Sequence, residues 1–229
     1  MEQPPIQLFG VTILEPVTSL TAILVALMCF FAWHKLKQSD RQDAVHKYLK
    51  YYFLTMGIAT FLGGLIGHAF LYLLSFSWKL PGWVISMFSI SLIERACINE
   101  AQPLLKPRMV RFLKIANITE LLTFISIVFY TLDFNFVGVH SAYGLMVVVF
   151  PLQLLVYLKT KHAGSRWMLL AVGLALVAYV VYLSRFSFHP YFNYFDISHV
   201  LMMLCVFLFY RGALELEKGE GKPLSVAQH

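Results

Sequence analysis

Charged side chains are scarce in this sequence: only 13% of its 229 residues are Asp, Glu, Lys or Arg, against 59% hydrophobic residues and a mean hydropathy of +0.70. That balance excludes an ordinary soluble domain, in which about a quarter of the residues are charged. Polar stretches long enough to form a second domain between apolar runs are also missing. So is the short alternation of apolar and polar residues that marks the strands of a membrane barrel. Cysteine is limited to Cys29, Cys97 and Cys205, all in or beside apolar runs and without metal-motif spacing, so they are expected to be small buried apolar residues. Met1 to Pro5 carry no basic residue and no small-residue cleavage site follows the first apolar run. A cleavable signal peptide is therefore not expected, and the first span should be retained.

What the chain does have is long apolar runs. Seven can be read, at about 16–33, 51–76, 81–98, 111–132, 136–158, 167–183 and 194–210, each near the ~20 residues a helix needs to cross ~30 Å of hydrocarbon. The expected fold is an all-α membrane protein, a seven-transmembrane-helix bundle over residues 1–214 with a polar cytoplasmic tail at 215–229. Basic residues sort by loop. Lys35, Lys37, Arg41, Lys47 and Lys50 follow the first run, Lys106 and Arg108 the third, and Lys159, Lys161 and Arg166 the fifth, whereas the opposite loops hold only Lys79 and Arg185. This bias predicts the N-terminus outside and the C-terminus in the cytoplasm. The net charge of +6 is spread over loops that flank spans, which fits lipid headgroups and gives no reason to expect nucleic acid. Aromatics, 16% of residues, suit interface belts. Without long external loops, the bundle suits a bacterial inner membrane.

Polar residues inside the runs carry what functional signal there is, because ionisable groups at membrane depth are expensive and usually serve a purpose. Asp196 and His199 are three residues apart at the start of the seventh run, and so lie on one helical face. At ~1.5 Å rise per residue, His68 lies roughly 12 Å and His199 roughly 8 Å below the outer surface. Glu15 stands at the outer start of the first run, and His140 about one turn into the fifth. His68, His199 and Asp196, with Glu15 or His140 as a fourth group, have the nitrogen and oxygen donors that suit zinc. Three protein ligands would leave a position for an activated water, with Asp196 or Glu15 as the catalytic base. The plainer reading makes Asp196 a helix cap, Glu15 ordinary start-of-helix chemistry and the histidines interhelical hydrogen-bonding groups.

A deeper set comprises Glu94, Arg95, Asn117 and Glu120. The two carboxylates are read either as facing one another on an ion or proton path, or as part of an internal salt bridge, the favoured reading, with Arg95 reaching toward Asn99 and Glu100. In the second run, Gly63 and Gly67 have the small-x-x-x-small spacing that lets helices approach closely. Close approach at Gly64 and Gly67 would hold His68 against protein neighbours.

Seven spans, Glu15 in Glu15-Pro16-Val17-Thr18-Ser19, His68 late in the second span and His199 early in the seventh resemble the CREST superfamily, which includes alkaline ceramidases and the progestin and adipoQ receptors. The resemblance implies a zinc-dependent lipid amidase or hydrolase. His68 and His199 would then be zinc ligands and Glu15 the first-span Glu. The sequence departs from that pattern at Gly64, where the family has Ser, at Lys79, where an Asp would follow, and at Phe195, where the first His of a His-x-x-x-His pair would stand.

The leading expectation is thus a zinc-binding outer-leaflet pocket that hydrolyses an amide or ester of a lipid-like substrate. Its rival is a non-enzymatic lipid receptor or sensor, or a small-solute transporter, that uses the same polar cluster. Haem held by His68 and His140 is a third reading. The seventh run contains no Lys to form a retinal Schiff base.

Overall fold

The computed structural model describes residues 3–39, 41 and 43–219. Seven of its helices are long and apolar enough to cross a membrane: Pro16–Lys37, Ala44–Ala69, Phe76–Leu104, Pro107–Thr131, Asn135–Thr160, Ala163–Ser184 and Tyr194–Leu216. They are built from α1 (Pro16–Lys37), α2 (Ala44–Leu62), α3 (Leu80–Ala101), α4 (Pro107–Thr131), α5 (Asn135–Tyr143), α6 (Phe150–Thr160), α7 (Ala163–Ser184) and α8 (Tyr194–Gly219). Residues 215–219 of the expected polar tail continue α8, and the tail from 220 onward lies outside the described residues.

Prolines sit in the first turns of four of these helices, Pro151 of α6 among them. Pro16, Pro81 and Pro107 sit in the first turns of α1, α3 and α4, where the missing N–H would have no partner in any case. Two spans change pitch inside the apolar run. α2 gives way to a π-helix at Gly63–Ala69, and α5 joins α6 through a π-helix at Gly144–Val149. Both begin at a glycine, and such wide turns cluster at functional sites. The first ends the second span at Ala69, earlier than apolarity alone implies. Short 3-10 turns at Leu71–Leu73 and Phe76–Lys79 then lead into the third span.

Neighbouring helices pack in sequence order, and α8 returns against both α7 and α1, so the ring of spans closes. Side chains such as Leu36, Leu49, Phe53, Ile93, Met168 and Phe209 are fully buried in its core. α4 is the most peripheral span. Its Phe112, Ile115, Ile118, Leu122 and Phe129 are exposed, as a lipid-facing row would be.

The glycines divide differently from their spacing. A Cβ at Gly64 would lie 3.0 Å from the Ser19 carbonyl oxygen and 3.1 Å from Ile23, whereas Gly63 and Gly67 face open space. Close packing of α1 on the second span therefore runs through Gly64 and through Gly57, whose Cβ would meet Phe30 at 2.7 Å, and the Gly63/Gly67 pair is not its basis.

One small β-element departs from the all-helical expectation. β1 (Ile6–Leu8) and β2 (Val11–Ile13) form an antiparallel hairpin whose turn residues Phe9 and Gly10 both have positive φ, the geometry that matches strand twist. Leu14 N–H donates to the Ala69 carbonyl at 3.1 Å, which ties the hairpin to the end of the first π-helix.

Asp43 caps α2 from the loop. Its Oδ1 accepts from His46 N–H at 3.0 Å and its Oδ2 lies 2.8 Å from His46 Nδ1. Burial pushes the carboxyl pKa up, but the hydrogen bonds and charge of His46 outweigh it and hold the value below the usual carboxylate range. Since the folded pKa is the lower one, the stabilisation is present above the unfolded pKa and is lost as pH falls through the folded one. Asp43→Ala is expected to remove about 1 kcal/mol at neutral pH. The gap to wild type should close below roughly pH 4. Circular-dichroism melts across pH 3–7 check this, and a gap independent of pH would contradict it.

Candidate functional site

The start of α1, the π-helix that ends the second span and the start of α8 meet at the end of the bundle that carries the hairpin. Here the structure brings together Glu15, His68, Asp196 and His199. Glu15 precedes α1 but makes no side-chain cap bond to it. Its carboxylate pairs instead with His68 Nδ1. A carboxylate can only accept, so Nδ1 carries the proton, and in the neutral imidazole Nε2 is the free acceptor. The His68 and His199 rings lie edge to face, 6.0 Å between centroids. Phe195 packs on His68 at 5.4 Å.

His199 is oriented in a parallel way. Thr21 Oγ1 lies 3.0 Å from His199 Nδ1 and 3.3 Å from Asp196 Oδ1. If Nδ1–H donates to Thr21 and the Thr21 hydroxyl donates onward to Asp196, every group in the chain is satisfied, and Nε2 of His199 is again the free ring nitrogen.

Asp196 itself is engaged on both oxygens. Oδ2 accepts from Asn193 N–H at 2.7 Å and from Gln3 Nε2 at 2.7 Å. Asn193 Oδ1 in turn accepts from Phe195 N–H at 2.9 Å. This reciprocal pair is a capping box at the start of α8, reinforced by Gln3 from the other end of the chain. Gln3 also closes the start of α1, where its Oε1 accepts from Val17 N–H at 3.0 Å and Thr18 N–H at 3.3 Å. Asp196 therefore serves as cap and crosslink between α1 and α8, with both oxygens already accepting hydrogen bonds.

His140 does not join this cluster. α5 packs on α3 and α4, which carries His140 to the other side of the bundle. There it is fully buried with its Nε2 3.2 Å from Glu120 Oε2 and its ring on Phe124. Its partners are Glu120 and Phe124 on α4, not His68. Arg95 likewise departs from expectation. It donates to Asn117 Oδ1 from Nε at 3.1 Å and from Nη2 at 2.7 Å, and to the Lys114 carbonyl at 2.9 Å, so it is drawn sideways to α4.

His68 and His199 open onto a cavity of about 450 Å3 inside the bundle, within the usual size of small-molecule sites. Apolar side chains dominate its wall, among them Met56, Ile90, Val172, Met202, Val206 and Phe209, and Lys79 also lines it. Gly63 and Gly67 contribute by leaving volume empty. The site is thus a largely apolar chamber with two oriented imidazoles.

Gln3 and Thr21 are the residues that sequence reasoning missed. Gln3 lies outside every apolar run, and Thr21 is one of several hydroxyls in the first, so neither carries a local mark. Comparison with curated proteins and with solved structures finds no match to the chain. The profile of a family of unknown function, DUF6962, matches residues 17–218, from the first span to the seventh, and the chain belongs to that family.

Proposed function

We propose that this membrane protein binds an amphiphilic, lipid-like molecule in the bundle cavity, its apolar part in the chamber and its polar part against His68 and His199. The observation that carries this reading is the pairing of an apolar cavity with two imidazoles whose Nδ1 atoms are already committed. In the neutral rings their Nε2 atoms are acceptors, so the polar end of the ligand should be a hydrogen-bond donor such as a hydroxyl, amide or ammonium. An apolar tail gains little by leaving lipid for an apolar chamber, since lipid tails are equally apolar. Selectivity therefore resides in the polar end. With the Lys- and Arg-rich loops on the cytoplasmic side, that end would lie in the outer leaflet.

A second reading, zinc-dependent hydrolysis of a lipid amide or ester, is favoured by the Glu15–His68 pair, because a carboxylate on the far nitrogen is the usual support of a metal-bound histidine. It needs a third protein ligand, and both Asp196 oxygens already accept hydrogen bonds. Binding without hydrolysis is the simpler use of the same residues.

The test is labelling by a photoactivatable long-chain alcohol in nanodiscs, with the adduct mapped by peptide analysis. Adducts should fall on α3 and α8 near Ile90, Met202 and Val206. The His68→Ala, His199→Ala double variant should need about 30-fold more probe, as expected for two lost hydrogen bonds of ~1 kcal/mol each. Equal labelling of wild type and double variant would reject the assignment.

A further inference from the structure

A second polar cluster lies apart from the His68 and His199 pair, and the proposed binding role makes no use of it. Glu94 on α3, Glu120 on α4 and His140 on α5 each offer a ligand atom, and these atoms lie within 4.8 Å of one another. Glu94 and His140 are fully buried. Neither ring nitrogen of His140, neither oxygen of Glu120 and not Glu94 Oε1 has a hydrogen-bond partner among the described residues. His140 Nε2 approaches Glu120 Oε2 to 3.2 Å without hydrogen-bond alignment. Donor atoms that crowd together yet do not aim at each other are arranged as ligands around a common centre.

We infer that Glu94, Glu120 and His140 form an intramembrane binding site for a divalent transition-metal cation. One imidazole nitrogen and two carboxylates are donors that such cations accept, and a charge of +2 balances two carboxylates. Arg95 makes no hydrogen bond to either carboxylate, because its guanidinium is turned to Asn117 and the Lys114 carbonyl. The surroundings are built to orient Glu94. Asn117 Nδ2 donates to Glu94 Oε2 at 3.0 Å and to Ser91 Oγ at 2.9 Å, so one carboxylate oxygen is clamped and Oε1 remains for the ion. Such supporting hydrogen bonds are the normal companions of metal ligands.

Gly144 supplies a second, independent sign of construction. It opens the π-helix that follows His140, and a Cβ there would run into Glu94 Oε1 and lie 2.5 Å from Ile90 Cγ2. Only glycine leaves room for the Glu94 carboxylate at this point. The wide turn keeps His140 and Gly144 beside the same carboxyl group.

The experiment uses the full chain purified in detergent, stripped with chelator, loaded with zinc or cobalt and desalted. It is run in the His68→Ala, His199→Ala background so that the other histidine pair cannot contribute. About one equivalent of metal should be retained, with a visible cobalt band. Glu120→Gln and His140→Ala should each abolish retention. Gly144→Ala, which leaves all three ligands in place, should weaken it about 10–100-fold. Melting curves identify any variant that fails to fold, and zinc should raise the melting temperature of the background protein but not that of Glu120→Gln. No retained metal in the background protein would overturn the inference and leave a proton shared by the two carboxyls as the occupant. So would unchanged retention in a Glu120→Gln, His140→Ala double variant. Neither result bears on the cavity, which is probed by labelling.

Discussion

Asp196→Ala should destabilise the protein by about 3–5 kcal/mol, because it removes a buried charge from a network and leaves its partners unmade. Three donors converge on this fully buried carboxylate: Gln3 Nε2, Asn193 N–H and the Thr21 hydroxyl. The substitution ends the capping box of α8 and the crosslink from α8 to α1 together. Asp196→Asn keeps the shape but replaces one acceptor oxygen with an amide that faces donors, so a substantial part of the loss should remain. Gln3→Ala should be milder, since Asn193 and Thr21 still hold Asp196. The three cysteines are all buried, which makes a thiol-reactive fluorogenic dye a direct reporter of unfolding. A loss below about 1 kcal/mol for Asp196→Ala would mean that water satisfies the donors and that the network contributes little. The effect is expected in metal-free protein, which separates a structural role for Asp196 from a ligand role.

The second large effect concerns two glycines three positions apart. Gly64→Leu should destabilise by about 3 kcal/mol, the upper range for overpacking, because the Ser19 backbone carbonyl stands 3.0 Å from its Cβ and backbone does not yield. Pushing α1 away would also separate Glu15 from His68, so ligand binding should fail with stability. Gly67→Leu meets nothing within 4 Å at its Cβ and lines the cavity. It should leave the melting temperature within a few degrees of wild type, yet block labelling by the long-chain alcohol, since the new side chain occupies the chamber beside His68. Melting curves and labelling of the two variants side by side check this. Normal labelling of a folded Gly67→Leu protein would show that the chamber is not where the ligand sits.

How far the site could be read in advance differs from residue to residue. His68, His199 and Glu15 were legible because each breaks an apolar run, or stands at its edge, at similar depth. Depth is a property of position along one helix and follows from ~1.5 Å per residue. His140 shared that depth and was misplaced, because depth says nothing about which side of the bundle a helix occupies. Asp196 illustrates the converse. The capping reading needed only Asn193 and Asp196, three apart in sequence, whereas the crosslink through Gln3 joins residues at opposite ends of the chain.

Sequence alone determined that this chain has seven helical runs long and apolar enough to cross a membrane, because apolar length is additive and local: each run either can span ~30 Å or cannot. Tertiary structure decided the pairings. It set Glu15 on His68, carried His140 to Glu94 and Glu120, turned Arg95 to Asn117 and placed Gln3 on Asp196. Those choices depend on the rotation of each helix about its axis and on its neighbours in the ring. Contacts such as Gly64 on Ser19, made between residues far apart in the chain, fix both.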